Sequence, residues 1–240
     1  PLDSQCKAYA SGFSHENETA VPGYYSVFLD RYGVKAELTA TKRAAIHRYT
    51  FPESEKAGFI LDFDYSLQRQ KNEEMQIEVI SDTEIRGRKK TYELVTDSVM
   101  IPGTDNKIPQ SKVLLHFATS EGEKVLVKVG ISGVDMAGAR RNVEVELPDW
   151  DFDMVRKEAS SDWQRYLSKI DISTKDEDQK KIFYTALYHT AVAPNLFADV
   201  DGRYLGMDLR IHQTSADRPV YTVFSLWDTF RALHPLMTII

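Results

Sequence analysis

The chain has 240 residues, of which 42% are hydrophobic, 28% charged and 11% aromatic, with a formal net charge of −6. That is the balance of a soluble globular protein with enough length to bury a real core. It excludes several classes: net negative charge argues against nucleic acid as partner, the lone Cys6 rules out an internal disulfide and any cysteine-based zinc site, and no apolar run reaches a membrane span.

From the first residue to about Pro148 the texture is β. Residues 23–29 (GYYSVFL) and 34–41 (VKAELTAT) are rich in β-branched and aromatic types, and Asp30-Arg31-Tyr32-Gly33 between them reads as a turn. Residues 45–51 alternate and stop at Pro52; residues 59–64, 75–80, 113–117 and 125–130 continue the pattern. Many short strands with polar turns favour an antiparallel sandwich over βαβ units. The basic run from Arg86 to Lys90 reads as a solvated hairpin end.

Near Pro148 the period changes from two to about 3.6. Phe152, Val155, Ala159, Trp163, Tyr166 and Ile170 follow helical steps, which predicts an amphipathic helix from Asp151 to Ile170. Thr174 and Glu177 form a capping-box pattern that opens a second helix, ending before Pro194. The polar and aromatic segment from Asn195 to Tyr221 reads as a long loop, and a loop of that length inside a domain is more often functional than idle.

The richest stretch is the last, Ser225-Leu226-Trp227-Asp228-Thr229-Phe230-Arg231-Ala232-Leu233-His234-Pro235. On a helix, Trp227, Asp228, Arg231 and His234 are neighbours at three- and four-residue spacing. An apolar disc beside planar hydrogen-bonding groups suits a sugar ring, which has apolar C–H faces and hydroxyls at its rim. The same residues also fit a plain structural role, with Ser225 and Asp228 as an S-x-x-D cap and Trp227 in a core.

Six motifs in order then point to a family: residues 12–25 (GFSHENETAVPGYY), 36–41 (AELTAT), 47–52 (HRYTFP), 183–189 (FYTALYH), 201–208 (DGRYLGMD) and 225–235 (SLWDTFRALHP). In that order they resemble the α-mannosidases of glycoside hydrolase family 92. The resemblance implies a mixed architecture, a partial antiparallel β-sandwich followed by the first helices of an (α/α) six-hairpin toroid. It divides the chain into residues 1–148 as part of the sandwich, 149–172 as a linker helix and 173–240 as the start of a truncated helical catalytic domain. It also implies a calcium-dependent, inverting enzyme that releases terminal mannose from manno-oligosaccharides or glycans, in a periplasmic or extracellular setting. The catalytic acid, the base and the calcium ligands are then expected outside this chain, which reads as an interior piece whose natural partner is the remainder of its own polypeptide. Taken alone, such a piece is expected to be inactive and poorly soluble.

Inverting hydrolysis needs two carboxyl groups about 6.5–9.5 Å apart. Sequence spacing singles out no such pair among Glu16, Glu18, Asp62, Asp64, Asp208 and Asp228. The expected roles are therefore substrate-holding. Trp227 stacks on the sugar, and Asp228 and Arg231 bind vicinal hydroxyls; Arg203 and Asp208 of the long loop come second, with a loop-anchoring salt bridge as the structural alternative. His15 and Glu16 line the cleft from the sandwich side or form a capped turn. No metal ligand is assigned, since His47, His189 and His234 lack zinc spacing. A non-catalytic carbohydrate-binding or structural β-sandwich is the competing reading.

Overall fold

The computed structural model describes residues 9–62, 71–92, 112–215, 217–222 and 225–240. Asp64, which the sequence offers as a carboxylate candidate, and Cys6 lie outside those residues. After a single 3-10 turn at His15–Asn17 come strands β1 (Glu18–Val21), β2 (Tyr24–Leu29), β3 (Val34–Ala40), β4 (Ala44–Phe51), β5 (Ser54–Asp62), β6 (Lys71–Ser81), β7 (Glu84–Tyr92), β8 (Lys112–Thr119) and β9 (Glu123–Gly130). Helices α1 (Met136–Glu146), α2 (Phe152–Leu167) and α3 (Glu177–Thr190), strands β10 (Arg203–Leu205) and β11 (Ile211–Gln213), and short helices α4 (Leu226–Thr229) and α5 (Leu233–Met237) complete the order. Antiparallel sheets thus precede helices. Among the described residues no helix is long and apolar enough to cross a membrane.

Two compact units emerge, Pro1–Phe51 with Lys124–Ile240, and Pro52–Glu123. In the second unit β5 pairs with β8 and β6 with β7, both antiparallel. In the first, five strands form one sheet in the order β1-β2-β3-β4-β9. Its hairpins close where the sequence supplies turn chemistry. Pro22-Gly23 joins β1 to β2 with Gly23 at φ 84°, and Gly33 at φ 62° ends the turn into β3. Gly23 has a second reason to lack a side chain, because a Cβ there would press on the α2 backbone at Ala159, 3.0 Å away.

Register then decides which side chains meet the helices. Glu37 stands opposite Arg48 and Thr39 opposite Ile46, and Tyr24 lies on the same face, since successive residues alternate sides. Tyr24, Ala44 and Ile46 pack against Leu147, Phe152 and Val155, with Leu126 and Val143 at the margin. Burying an Ile or a Phe stabilises by about 1.5–3 kcal/mol, so this cluster clamps α2 onto the sheet.

A polar pin beside it completes the clamp. Glu37 is buried, accepts from Tyr24 Oη at 2.8 Å and is bound by Arg48 at 2.9 and 3.0 Å. Arg48 also reaches Asp153 in α2 at 3.0 Å and lies over the Phe152 ring at 4.2 Å. Hydrogen bonding from Arg48 is the main force holding the Glu37 carboxyl down to about 2, against the upward push of burial.

Three local expectations change. Helix α1 occupies residues that the β texture had absorbed, with Asp135 as N-cap accepting from Gly138 N. Its end, Val143-Glu144-Val145-Glu146, alternates like a strand, and the tertiary context overrides that pattern. Helix α3 is capped by Asp176, whose carboxylate accepts from Asp178 N and Gln179 N; Thr174 accepts from Asp176 N instead of opening the helix. The 225–235 stretch is two short helices rather than one, and Ser225 makes no side-chain cap bond. That break removes the single helical face on which Trp227, Asp228, Arg231 and His234 were to meet.

Candidate functional site

The loop from Asn195 to Tyr221 carries the densest polar construction of the first unit. It is anchored through α1. Asn142 is 0% exposed and meets its full donor capacity, giving to Ile131 O at 2.8 Å and Asp199 Oδ1 at 2.9 Å, while its oxygen accepts from Val200 N at 2.9 Å. Asp199, 3% exposed, also accepts from Ser132 Oγ at 2.7 Å. A buried carboxylate needs such partners, since an unmet one costs several kcal/mol. Gly138 makes room for it, because a Cβ there would collide with the Asp199 carboxylate and with Ser132 Oγ.

Arg203, at the start of β10, binds Asp135 at 2.8 Å and Asp201 at 2.9 Å, and Arg141 of α1 pairs with the same Asp201. The Arg203 hydrogen bonds, with the Gly138 N–H, hold Asp135 below the usual carboxylate range. For Asp201 burial pushes upward, and the Arg203 backbone and guanidinium outweigh it. On the sheet side Arg43 donates to Ala198 O at 2.6 Å and to Glu146 at 2.5 Å. Between that arginine and the loop lies a cleft of about 640 Å³, whose lining includes Lys42, Arg43, Asp199, Thr214, Ser215 and Tyr221.

Arg203 therefore sits in the loop-anchoring ion pairs. Asp208, at the tip of the β10–β11 hairpin, is held by His212 Nε2 at 2.9 and 3.1 Å and by the Arg210 N–H at 3.1 Å, and the His212 bond first of all keeps its carboxyl low. Tyr204 stacks on the His212 ring at 5.6 Å, and Leu209 beside it takes a φ of 60°, a strained choice for a branched residue. At the other end of the chain His15 Nδ1 lies 2.6 Å from Glu18, which also accepts from Tyr25 Oη at 2.7 Å. Glu16 belongs to the 3-10 turn that Ser14 caps.

Trp227 and Asp228 lie in α4, and Arg231 follows it, over the Phe230 ring at 5.3 Å. Trp227 is 85% exposed, so it is a solvent-facing platform and not a core residue. None of the seven predicted site residues lines the 640 Å³ cleft. Sequence reasoning passed over Asn142, Asp199, Asp135 and Arg43. An Asp N-cap two residues ahead of an Ala-Gly-Ala-Arg-Arg run was the readable signal for the first helix of that network.

The carboxyls of Glu18, Glu37, Asp135, Asp201 and Asp208 are all held below the usual carboxylate range. That is the behaviour of paired anions, opposite to what a general acid requires. Among the described residues no group of three His, Cys, Asp or Glu side chains is placed to hold a metal ion.

Antiparallel sheets followed by helices, a polar loop anchored on α1 and an exposed tryptophan are shared by many classes of protein. Comparison with known proteins makes the class specific. The Glycosyl hydrolase family 92 N-terminal domain matches residues 2–101, and the family 92 catalytic domain matches residues 138–240. A family GH92 α-mannosidase from Bacteroides thetaiotaomicron aligns over 95% of this chain with a TM-score of 0.81 and 32% identity; a second structure of it holds mannoimidazole. A family GH92 inverting mannosidase from the same organism aligns over 95% at 26% identity and a TM-score of 0.76. An uncharacterized secreted glycosidase from Arthroderma benhamiae is 26% identical over 73% of the chain. The chain belongs to glycosyl hydrolase family 92. It spans 34% of the first α-mannosidase, 33% of the inverting enzyme and 28% of the fungal relative.

Proposed function

We propose that this chain is part of an α-mannosidase that releases terminal α-linked mannose from manno-oligosaccharides or N-glycans by calcium-assisted, inverting hydrolysis. The alignment of 95% of the chain, at 32% identity, with an α-mannosidase also known with mannoimidazole bound carries this reading. Within it, residues 1–148 contribute to a β-sandwich, 149–172 link, and 173–240 begin an (α/α) toroid. The chain's part is to hold substrate, not to move protons. The exposed Trp227 ring stacks on a sugar face, and Asp228 and Arg231, whose side chains make no hydrogen bond or ion pair among the described residues, offer an acceptor and a fork of donors to vicinal hydroxyls. The downward-shifted carboxyls favour placing the acid and base in other parts of the polypeptide. Calcium is assigned there too in this proposal, and among the described residues no three His, Cys, Asp or Glu side chains come together. A secreted relative favours a periplasmic or extracellular setting.

The test is mannose release from α-linked mannobiosides by the full-length protein, first in EDTA and then with calcium restored. Release lost in EDTA and regained with calcium supports the proposal. Sugar binding without release in calcium reduces the chain to a carbohydrate-binding module.

A further inference from the structure

A second exposed tryptophan stands apart from the loop and from α4. Trp150 lies in the connection from α1 to α2 and is 57% exposed, although Leu147 and Phe152 on either side are among the most buried residues of the unit. The chain is thus pinned at both ends, and the indole is turned outward between the two anchors. Lys128 of β9 fixes it further. Its Nζ donates to Leu147 O at 2.6 Å and sits 4.2 Å from the Trp150 ring centre. Holding a large apolar ring against water in one orientation costs free energy that a ligand on its open side recovers.

That ring borders a groove of about 460 Å³ shared with Lys124, Asp149, Asp151 and Asp153. Two of the polar groups are already engaged, since Asp153 is bound by Arg48 and one Asp151 oxygen accepts from Met154 N at 2.9 Å. Among the described residues neither the Asp149 carboxylate nor the Lys124 ammonium makes a hydrogen bond or close ion pair, although Asp149 is near enough to Lys128 to act on its charge, and both line the groove beside the platform, one an acceptor and one a donor. The carboxylates make the groove hostile to an anion. They do not converge as a cation site would require. A planar apolar face with separate acceptors and a donor at its rim matches a neutral pyranose, whose hydroxyls both give and accept.

We propose that the Trp150 groove is an accessory binding site for a neutral pyranose unit of a glycan, with Trp150 as stacking platform and Asp149 and Lys124 as hydroxyl partners. Binding here involves no turnover, so it stands or falls independently of mannosidase activity.

Fluorine NMR on the full-length protein labelled with 5-fluorotryptophan reads the site directly, with the Trp150 and Trp163 resonances assigned by their loss in Trp150→Phe and Trp163→Phe. Trp163, packed on Tyr188 at 4.6 Å, serves as internal reference. Titration with methyl α-mannoside and with a mannotriose is expected to move the Trp150 resonance saturably and leave that of Trp163 in place. Asp149→Asn is expected to weaken this response roughly five- to tenfold, as when one hydrogen bond loses its charge. A Trp150 resonance unmoved by either sugar, or moved by calcium chloride and not by sugar, overturns the inference without bearing on hydrolysis.

Discussion

Glu37→Gln isolates the worth of the pin between β3 and α2. Gln has the shape of a protonated Glu, so the substitution removes charge with little change in packing. Glu37 lies at about 2 in the folded protein against 4.5 ordinarily, a difference of about 2.5 units. At 1.36 kcal/mol per unit that is roughly 3 kcal/mol of stability at neutral pH. The sign follows from the depressed value: the contribution is complete above pH 4.5 and drains away as pH falls toward 2. At pH 3 the wild type has already lost about 2 kcal/mol of it, so its advantage over Glu37→Gln shrinks to roughly 1 kcal/mol. Urea unfolding followed by tryptophan fluorescence reports on the right unit, because all three tryptophans lie in residues 124–240. A gap between the two proteins that stays constant from pH 7 to pH 3, or lies below 1 kcal/mol at pH 7, refutes the reasoning.

Asn142→Ala strands the Asp199 carboxylate, Ile131 O and Val200 N in a buried site, and calorimetry is expected to show a loss of roughly 3 kcal/mol. Gly138→Ala improves helix propensity by about 1 kcal/mol, yet the collision with Asp199 and Ser132 outweighs it. Its melting temperature should fall; a rise would mean that the anchor tolerates displacement. Trp227→Ala, at an 85% exposed position, leaves stability within about 0.5 kcal/mol of wild type. In the full-length protein the same substitution should still depress hydrolysis of α-linked mannobiosides, through KM above all, and unchanged kinetics would remove Trp227 from the sugar-holding wall.

Much of this protein is written locally. The strand pairs on either side of Asp30–Gly33, the turn glycines, and the helix carried by Phe152, Val155 and Trp163 follow from alternation, turn chemistry and the 3.6-residue period, which act between near neighbours in the chain. Motif order from Gly12 to Pro235 carried the family as well. What periodicity could not express are pairings between residues far apart in the chain. Arg48 to Asp153, Asn142 to Asp199 and Arg203 to Asp135 join positions 57 to 105 residues apart, and only the folded sheet and helices bring them together. The same holds for α1, whose Val-Glu alternation is locally strand-like and becomes helical because Asp135 caps it and Val143 packs against the core. Three- and four-residue spacing named Trp227, Asp228 and Arg231 as helical neighbours, but the tertiary structure breaks that helix at Phe230 and turns the tryptophan into solvent. Local propensity sets the elements; burial and charge pairing across the fold choose which side chains are locked and which are left free to meet a ligand.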